Sequence, residues 1–326
     1  MKTLNWMLRR EIWEHKGSLF WAPVVVAAIL LFFTAASAGY GILAHGATFQ
    51  ASINGHEVVA TKLSTMPSVI REQVVQVAGN SYLGAAVPLF IMMAFTVFFY
   101  CLSALYDERR DRSVLFWKSL PMSDQMTVLS KVLTAAVIAP LITTAAAVVM
   151  SLILLLLMGL FLAANGVNLF GALLLNPALY LSPLFLVGVL PVYVLWALPT
   201  IGWLLMVSSW AKSKVFLWAV GVPIIALVIV KWVDFLITGN QGMNTGLTYV
   251  AKEIVNRGLG GLVPGIWFAF SDHTATMRPA ARGIELDTVF TQSWMTLASP
   301  GVWIGAAAGV AMIFVAIRMR RWRDEG

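Results

Sequence analysis

Residues 132–211 read VLTAAVIAPLITTAAAVVMSLILLLLMGLFLAANGVNLFGALLLNPALYLSPLFLVGVLPVYVLWALPTIGWLLMVSSWA, 80 residues without Asp, Glu, Lys, Arg or His. A helix needs about 20 mostly apolar residues to cross roughly 30 Å of hydrocarbon. The stretch is therefore too long for one crossing and suits two long spans joined by a polar turn. Asn165-Gly166-Val167-Asn168 supplies the turn, and Asn176-Pro177 opens the return helix. Three shorter spans also fit, and would put the later loops on the opposite sides.

The same reading extends outward to six candidate spans, at about 19–44, 83–105, 132–163, 179–211, 215–237 and 298–317. The composition agrees. Of 326 residues, 60% are hydrophobic and only 11% charged, against about 25% charged in a soluble domain. With mean hydropathy +0.83, disorder and an ordinary soluble enzyme are excluded. One cysteine, Cys101, excludes an intrachain disulfide scaffold. The chain reads as an all-α integral membrane protein, one transmembrane domain over 1–326 without repeats or linkers.

Charge sets the expected orientation. The segment before span 1 carries Lys2, Arg9, Arg10 and Lys16, and the loop after span 2 carries Arg109, Arg110, Arg112, Lys118 and Lys131. Lys212 and Lys214 follow span 4; Arg318, Arg320, Arg321 and Arg323 follow span 6. These alternate segments hold 15 of the 22 basic residues and the whole net charge of +7. The positive-inside rule places them, and both termini, in the cytoplasm. The excess positive charge then marks topology and attraction to anionic inner-leaflet lipid, and does not point to nucleic acid.

Ala36-Ser37-Ala38 resembles a signal-peptide cleavage site, but the preceding segment is long and contains Glu11 and Glu14, so a retained anchor is expected. Within residues 1–18, Leu4, Leu8 and Ile12 recur at helical spacing beside Trp6 and Trp13. That pattern predicts a helix lying along the inner interface. Residues 45–82 and 238–297 fall outside. Residues 258–270 (GLGGLVPGIWFAF) carry no charge and should dip into the outer interface or cover the mouths of the spans.

Several chemistries are disfavoured. No Gly-Lys dipeptide occurs, so a Walker A loop is missing from the sequence. His15, His45, His56 and His273 are scattered; His56-Glu57-Val58-Val59-Ala60 begins like a zincin motif but has Ala60 at the second ligand position. Cys101 has no histidine nearby in sequence and reads as a small apolar residue of span 2. Lys231 and Asp234, near the outer end of span 5, read as a snorkelling ion pair or as a gating element. The other span interiors lack the titratable groups an ion-driven carrier uses.

Two further patterns leave alternatives open. Gly301, Gly305 and Gly309 form a small-residue stripe on span 6, suited to packing within the chain or to a dimer seam. Pro183, Pro191 and Pro199 favour kinks in span 4, which occur along transport pathways and in static bundles alike.

The densest charge cluster is Tyr106-Asp107-Glu108-Arg109-Arg110-Asp111-Arg112. Glu108–Arg112 at i,i+4 and Asp107–Arg110 at i,i+3 favour a helix continuing from span 2. Val114-Leu115-Phe116-Trp117 then places four apolar residues inside a basic loop, Pro121 should stop that helix, and Ser123-Asp124 supply the next cap. Phe116 and Trp117 suit either a lipid interface or a peg for a cytosolic partner.

The run YDERRDRSVLFWKSLPMSDQMTVLSK resembles the cytoplasmic loop of bacterial type-2 ABC transporter permeases. In that family an acidic–basic cluster and a segment similar to SVLFWKSLPMSD follow the second of six spans. The outer segment between spans 1 and 2 is longer than the short turn of many relatives. The resemblance implies a homodimer working with two copies of a cytosolic ATPase that holds the ATP and Mg2+, this chain carrying no cofactor. It further implies a coupling loop, 106–131, in which Asp107, Glu108, Arg109 and Arg112 make polar contacts with that ATPase. Leu115, Phe116, Trp117 and Lys118 would form the inserted part. The implied function is export across the bacterial inner membrane, with no catalysis in this chain and no readable substrate. The alternatives are a non-transporting membrane anchor and an ion-coupled carrier.

Overall fold

The computed structural model describes residues 2–45, 49–53, 56–60, 68–111, 123–238, 246–270 and 286–322. Within them, six helices are long and apolar enough to cross a membrane: Gly17–Ser37, Ile70–Arg110, Asp124–Ala164, Ala178–Trp210, Leu217–Ile237 and Pro300–Arg321. They are spans 1 to 6 below, and they make this a multi-pass membrane protein. The uncharged stretch is two helices. Its first ends in a Schellman turn: Val167 N–H reaches the Leu162 carbonyl (2.9 Å) and Gly166 N–H the Ala163 carbonyl (3.0 Å). Gly166 sits at φ +87°, where a side chain would be strained. The return helix is capped by Asn176, whose Oδ1 accepts the Ala178 N–H (3.0 Å), with Pro177 supplying a fixed φ at the entry.

Three features depart from the sequence reading. Spans 2 and 3 are far longer than one crossing, at 41 residues each. Helix Ser68–Ser81 forms the N-terminal part of span 2, within the 45–82 segment read as a solvated connection. The all-α expectation also meets an exception in an antiparallel hairpin, Phe49–Ile53 paired with His56–Ala60. His56–Ala60 being a strand, a helical zincin arrangement is excluded there. The uncharged 258–270 segment packs on the main core: Leu262 and Trp267 are buried in it, and Trp267 Nε1 donates to Ser293 Oγ (2.9 Å).

The core lies between spans 2, 3, 4 and 6, around Met93, Val97, Val128, Ile201, Leu204 and Leu205. Spans 4 and 6 make the most extensive contact, and glycine explains how close it is. A Cβ on Gly309 would lie 2.6 Å from the Leu198 carbonyl, and one on Gly202 would collide with the Gly309 carbonyl. Backbones touch here because neither residue has a side chain. Gly305 faces the Pro199 ring, and Gly301 leaves room for the Arg257 guanidinium. That guanidinium stacks on Trp196 (4.8 Å) and pairs with Glu253 (2.7 Å). Within the chain, the stripe therefore serves span 4 and an arginine. Gly309→Ala should cost about 1–3 kcal/mol of stability, the range for overpacking against something that cannot move. Gly301→Ala should cost less, since it meets the far end of a side chain. Thermal unfolding of the two purified variants checks the order.

Candidate functional site: a buried charge junction under the loop

Within span 2, helix Val87–Ser103 is followed by a turn and continues as Tyr106–Arg110. This continuation is held from two sides. On one, Ser208 Oγ near the end of span 4 accepts the N–H groups of Leu105 (3.1 Å) and Tyr106 (3.0 Å). Arg109 returns the contact, donating through Nη2 to the Ser208 (2.6 Å) and Ala211 (3.0 Å) carbonyls. Those carbonyls belong to the unpaired last turn of a helix, where a cation also complements the dipole.

On the other side lies a chain of buried charges. Lys131 Nζ sits 3.0 Å from Glu11 Oε1 and 3.0 Å from Glu108 Oε1. Arg320, in the last turn of span 6, reaches Glu108 Oε2 (2.9 Å) and Asp124 Oδ1 (3.2 Å). The Arg320 Nε and Nη1 contacts are ionic, lying off the hydrogen-bond direction. Tyr100 donates its hydroxyl to Glu11 Oε2 (2.8 Å). Lys131, Glu11 and Arg320 are at most 5% exposed and Glu108 10%. Ions so dehydrated are tolerable only when mutually paired. The N-terminal helix, the span 2 extension, the start of span 3 and the end of span 6 are thus fixed in one register.

Glu11 and His15 have shifted titrations. Burial alone would raise the Glu11 carboxyl, but Lys131 and the Tyr100 hydroxyl outweigh it and hold the carboxyl below its ordinary 4.5. His15 packs edge-on to Tyr100 (4.8 Å) and is pushed below its ordinary 6.5, chiefly by burial, with Glu11, Glu14 and Asp107 opposing and Lys131 assisting. A histidine with a depressed folded value takes up its proton more readily when unfolded, so acidification through 6.5 favours unfolding. The Glu11 contribution is present above 4.5 and lost as pH falls through its depressed folded value. Thermal stability should therefore fall in two stages on acidification, and His15→Gln should remove the first. Unfolding midpoints measured from pH 8 to 4 check this.

The structure separates the residues expected to contact a partner. Asp107 is exposed, whereas Glu108 and Arg109 are turned inward. Glu108 belongs to the junction instead of the surface, and its expected pairing along the helix gives way to Lys131 and Arg320. Arg112, Leu115, Phe116, Trp117 and Lys118 lie outside the described residues. From sequence, Asp124 reads as a helix cap, Lys131 and Arg320 as orientation-setting charges and Glu11 as an acidic residue before span 1, and nothing there joins them into one site. Their signal was faint: each is a charge within a few residues of an apolar span.

Farther along the spans, a cavity of about 370 Å³ opens between spans 2, 3 and 4 and the 263–268 turn. Its walls are mainly apolar, including Phe90, Phe185, Trp267 and Phe268, with Asn80 and Ser81 among the polar residues that line it. Near the C-terminal end of span 5, Asp234 is buried and accepts the Thr248 hydroxyl, tying that span to helix Gly246–Gly260. Among the described residues no group of three His, Cys, Asp or Glu side chains could hold a metal. No family model, curated protein or solved structure matches the chain.

Proposed function

We propose that this chain is the membrane-spanning permease of an ATP-driven exporter in a bacterial inner membrane, of the type-2 ABC class its loop resembles. It works as a homodimer with two copies of a cytosolic ATPase. Both termini are cytoplasmic, and residues 1–18 lie along the inner face. Spans 1 and 5 are the least covered of the six, which leaves faces for lipid and a second copy.

The observation that carries this reading is the base of the 106–122 segment. A loop that only anchored a partner would need no rigid root. Here the root is locked by Arg109 to span 4, and by Glu108, Lys131 and Arg320 to spans 3 and 6. A push from an ATPase closing around its nucleotide would reach all of these helices together, because packed elements move as units. Asp107, beside Arg110 and Asp111 on the exposed side, remains available for polar contact with that partner. The apolar walls and few polar lining groups of the 370 Å³ cavity suit a compartment whose access changes with that motion.

The first test is purification of the tagged chain from its native membranes in mild detergent. A co-eluting subunit with a Walker A motif and ATP hydrolysis in the eluate are expected. An eluate holding a cytosolic partner without ATP hydrolysis would favour the membrane-anchor reading. Substrate uptake driven by an ion gradient alone would favour the carrier.

A further inference from the structure

The 370 Å³ cavity is walled by aromatic rings that reach it from three parts of the chain: Phe90 from span 2, Phe185 and Tyr193 from span 4, and Trp267 and Phe268 from the 263–268 turn. Its volume lies within the range of small-molecule pockets, about 300–1,000 Å³. Several of these rings are held in place by the chain itself. Trp267 is buried and donates its Nε1–H to Ser293 Oγ (2.9 Å), which in turn donates to the Val289 carbonyl (2.7 Å). Phe185 packs on Phe290, with ring centroids 5.3 Å apart. Gly265, at φ +87°, permits the bend that brings Trp267 and Phe268 to the wall.

The rest of the lining adds two properties. Asn80 and Thr144 face the same cavity, and neither side chain hydrogen-bonds to another described residue. Both can therefore meet a polar group on a ligand. Val87 and Ile91 also line it and are 53% and 46% exposed, so the cavity opens beside an apolar face of a membrane-crossing helix. A lipophilic molecule can enter there along apolar surface.

We propose that this cavity binds a lipophilic molecule built on planar rings, its ring system against the aromatic walls and a polar substituent toward Asn80 and Thr144. An acyl chain would fill apolar space equally well. It gains nothing from the ring quadrupoles, however, and loses more internal freedom on binding. The convergent rings, and not charge around the mouth, select the ligand. That such a molecule is the exporter's cargo rests on the permease reading; that the cavity binds it does not.

The test uses the full chain in lipid nanodiscs, without any ATPase, so its failure leaves the coupling assignment untouched. Binding found in a chain that proves to have no ATPase would keep the site and remove only its role in export. Benzophenone, a diaryl ketone, is photo-crosslinked to the chain with anthracene or tetradecane as competitor, two hydrocarbons of equal carbon count. Mass spectrometry then identifies the labelled peptides. Label should fall on the cavity lining, and anthracene should suppress it about tenfold more effectively than tetradecane, as expected when a ring meets more than one aromatic face. Phe90→Leu with Phe185→Leu keeps the cavity apolar but removes two rings, and should bring the two competitors close together. Label outside the lining, equal suppression by both hydrocarbons, or an unchanged preference in the double variant would overturn the proposal. Should the double variant fail to fold, the label position and the competition in the wild type decide alone.

Discussion

Lys131→Met should destabilise the protein by about 3–5 kcal/mol, the cost of removing one partner from a buried ion pair. The magnitude follows from what is left behind. Glu11 and Glu108 would face one another across the vacated space, both nearly excluded from water, with Arg320 as the nearest remaining cation on one side only. Much of that cost is the desolvated charge and little of it is the lost attraction, so it should be recoverable. Glu11→Gln and Glu108→Gln added to Lys131→Met replace the buried charges with neutral groups of similar volume, and most of the stability should return. Unfolding midpoints of the single and triple variants, in the same detergent, separate this from a simple packing defect. A triple variant less stable than Lys131→Met would contradict the electrostatic account.

The second large effect concerns function. Phe116→Asp combined with Trp117→Asp should abolish co-purification of the ATPase subunit while leaving membrane insertion and the unfolding midpoint intact. An inserted apolar peg contributes through desolvated contact with its pocket, and a charge at its tip must be buried unpaired or keep the surfaces apart. The two predictions are complementary. Lys131→Met breaks the root of the loop and should lower stability, whereas the double aspartate alters its tip and should not. If the double variant still binds the ATPase, these residues belong to the lipid interface, which their chemistry also permits.

How far the sequence could be read depends on how local each signal is. The turn at 165–168 was legible because a helix end needs a residue tolerant of positive φ, and Gly166 stands there between two uncharged stretches. The span 6 glycines were legible as a packing stripe, but spacing could not say what they pack on; that required Leu198, Pro199 and Arg257 to arrive from elsewhere in the chain. The charge cluster at 106–112 was visible, while the direction of its side chains was not. Glu108 and Arg109 look like surface charges on a helix until Lys131, Arg320 and Ser208 are brought beside them. Local pairing rules assign Glu108 to its own helix, and tertiary burial overrides them because an unpaired buried cation costs far more than a surface pair contributes. The hairpin at 49–60 has a local signal, Asn54-Gly55 between its two strands, which polarity alone does not reveal.

The central claim is that force applied at the loop changes access within the membrane domain. It can be tested without knowing the substrate. A single cysteine is placed in the cavity lining by Ser81→Cys in a Cys101→Ala background, and the chain is reconstituted into vesicles with its ATPase. The rate of labelling by a membrane-impermeant maleimide is then measured without nucleotide and with ATP held unhydrolysed. The account predicts a rate change of about tenfold or more, the mark of a shifted population, that disappears without the ATPase or with Phe116→Asp/Trp117→Asp. Equal labelling rates with and without ATP, in vesicles where the ATPase is bound and active, would contradict it.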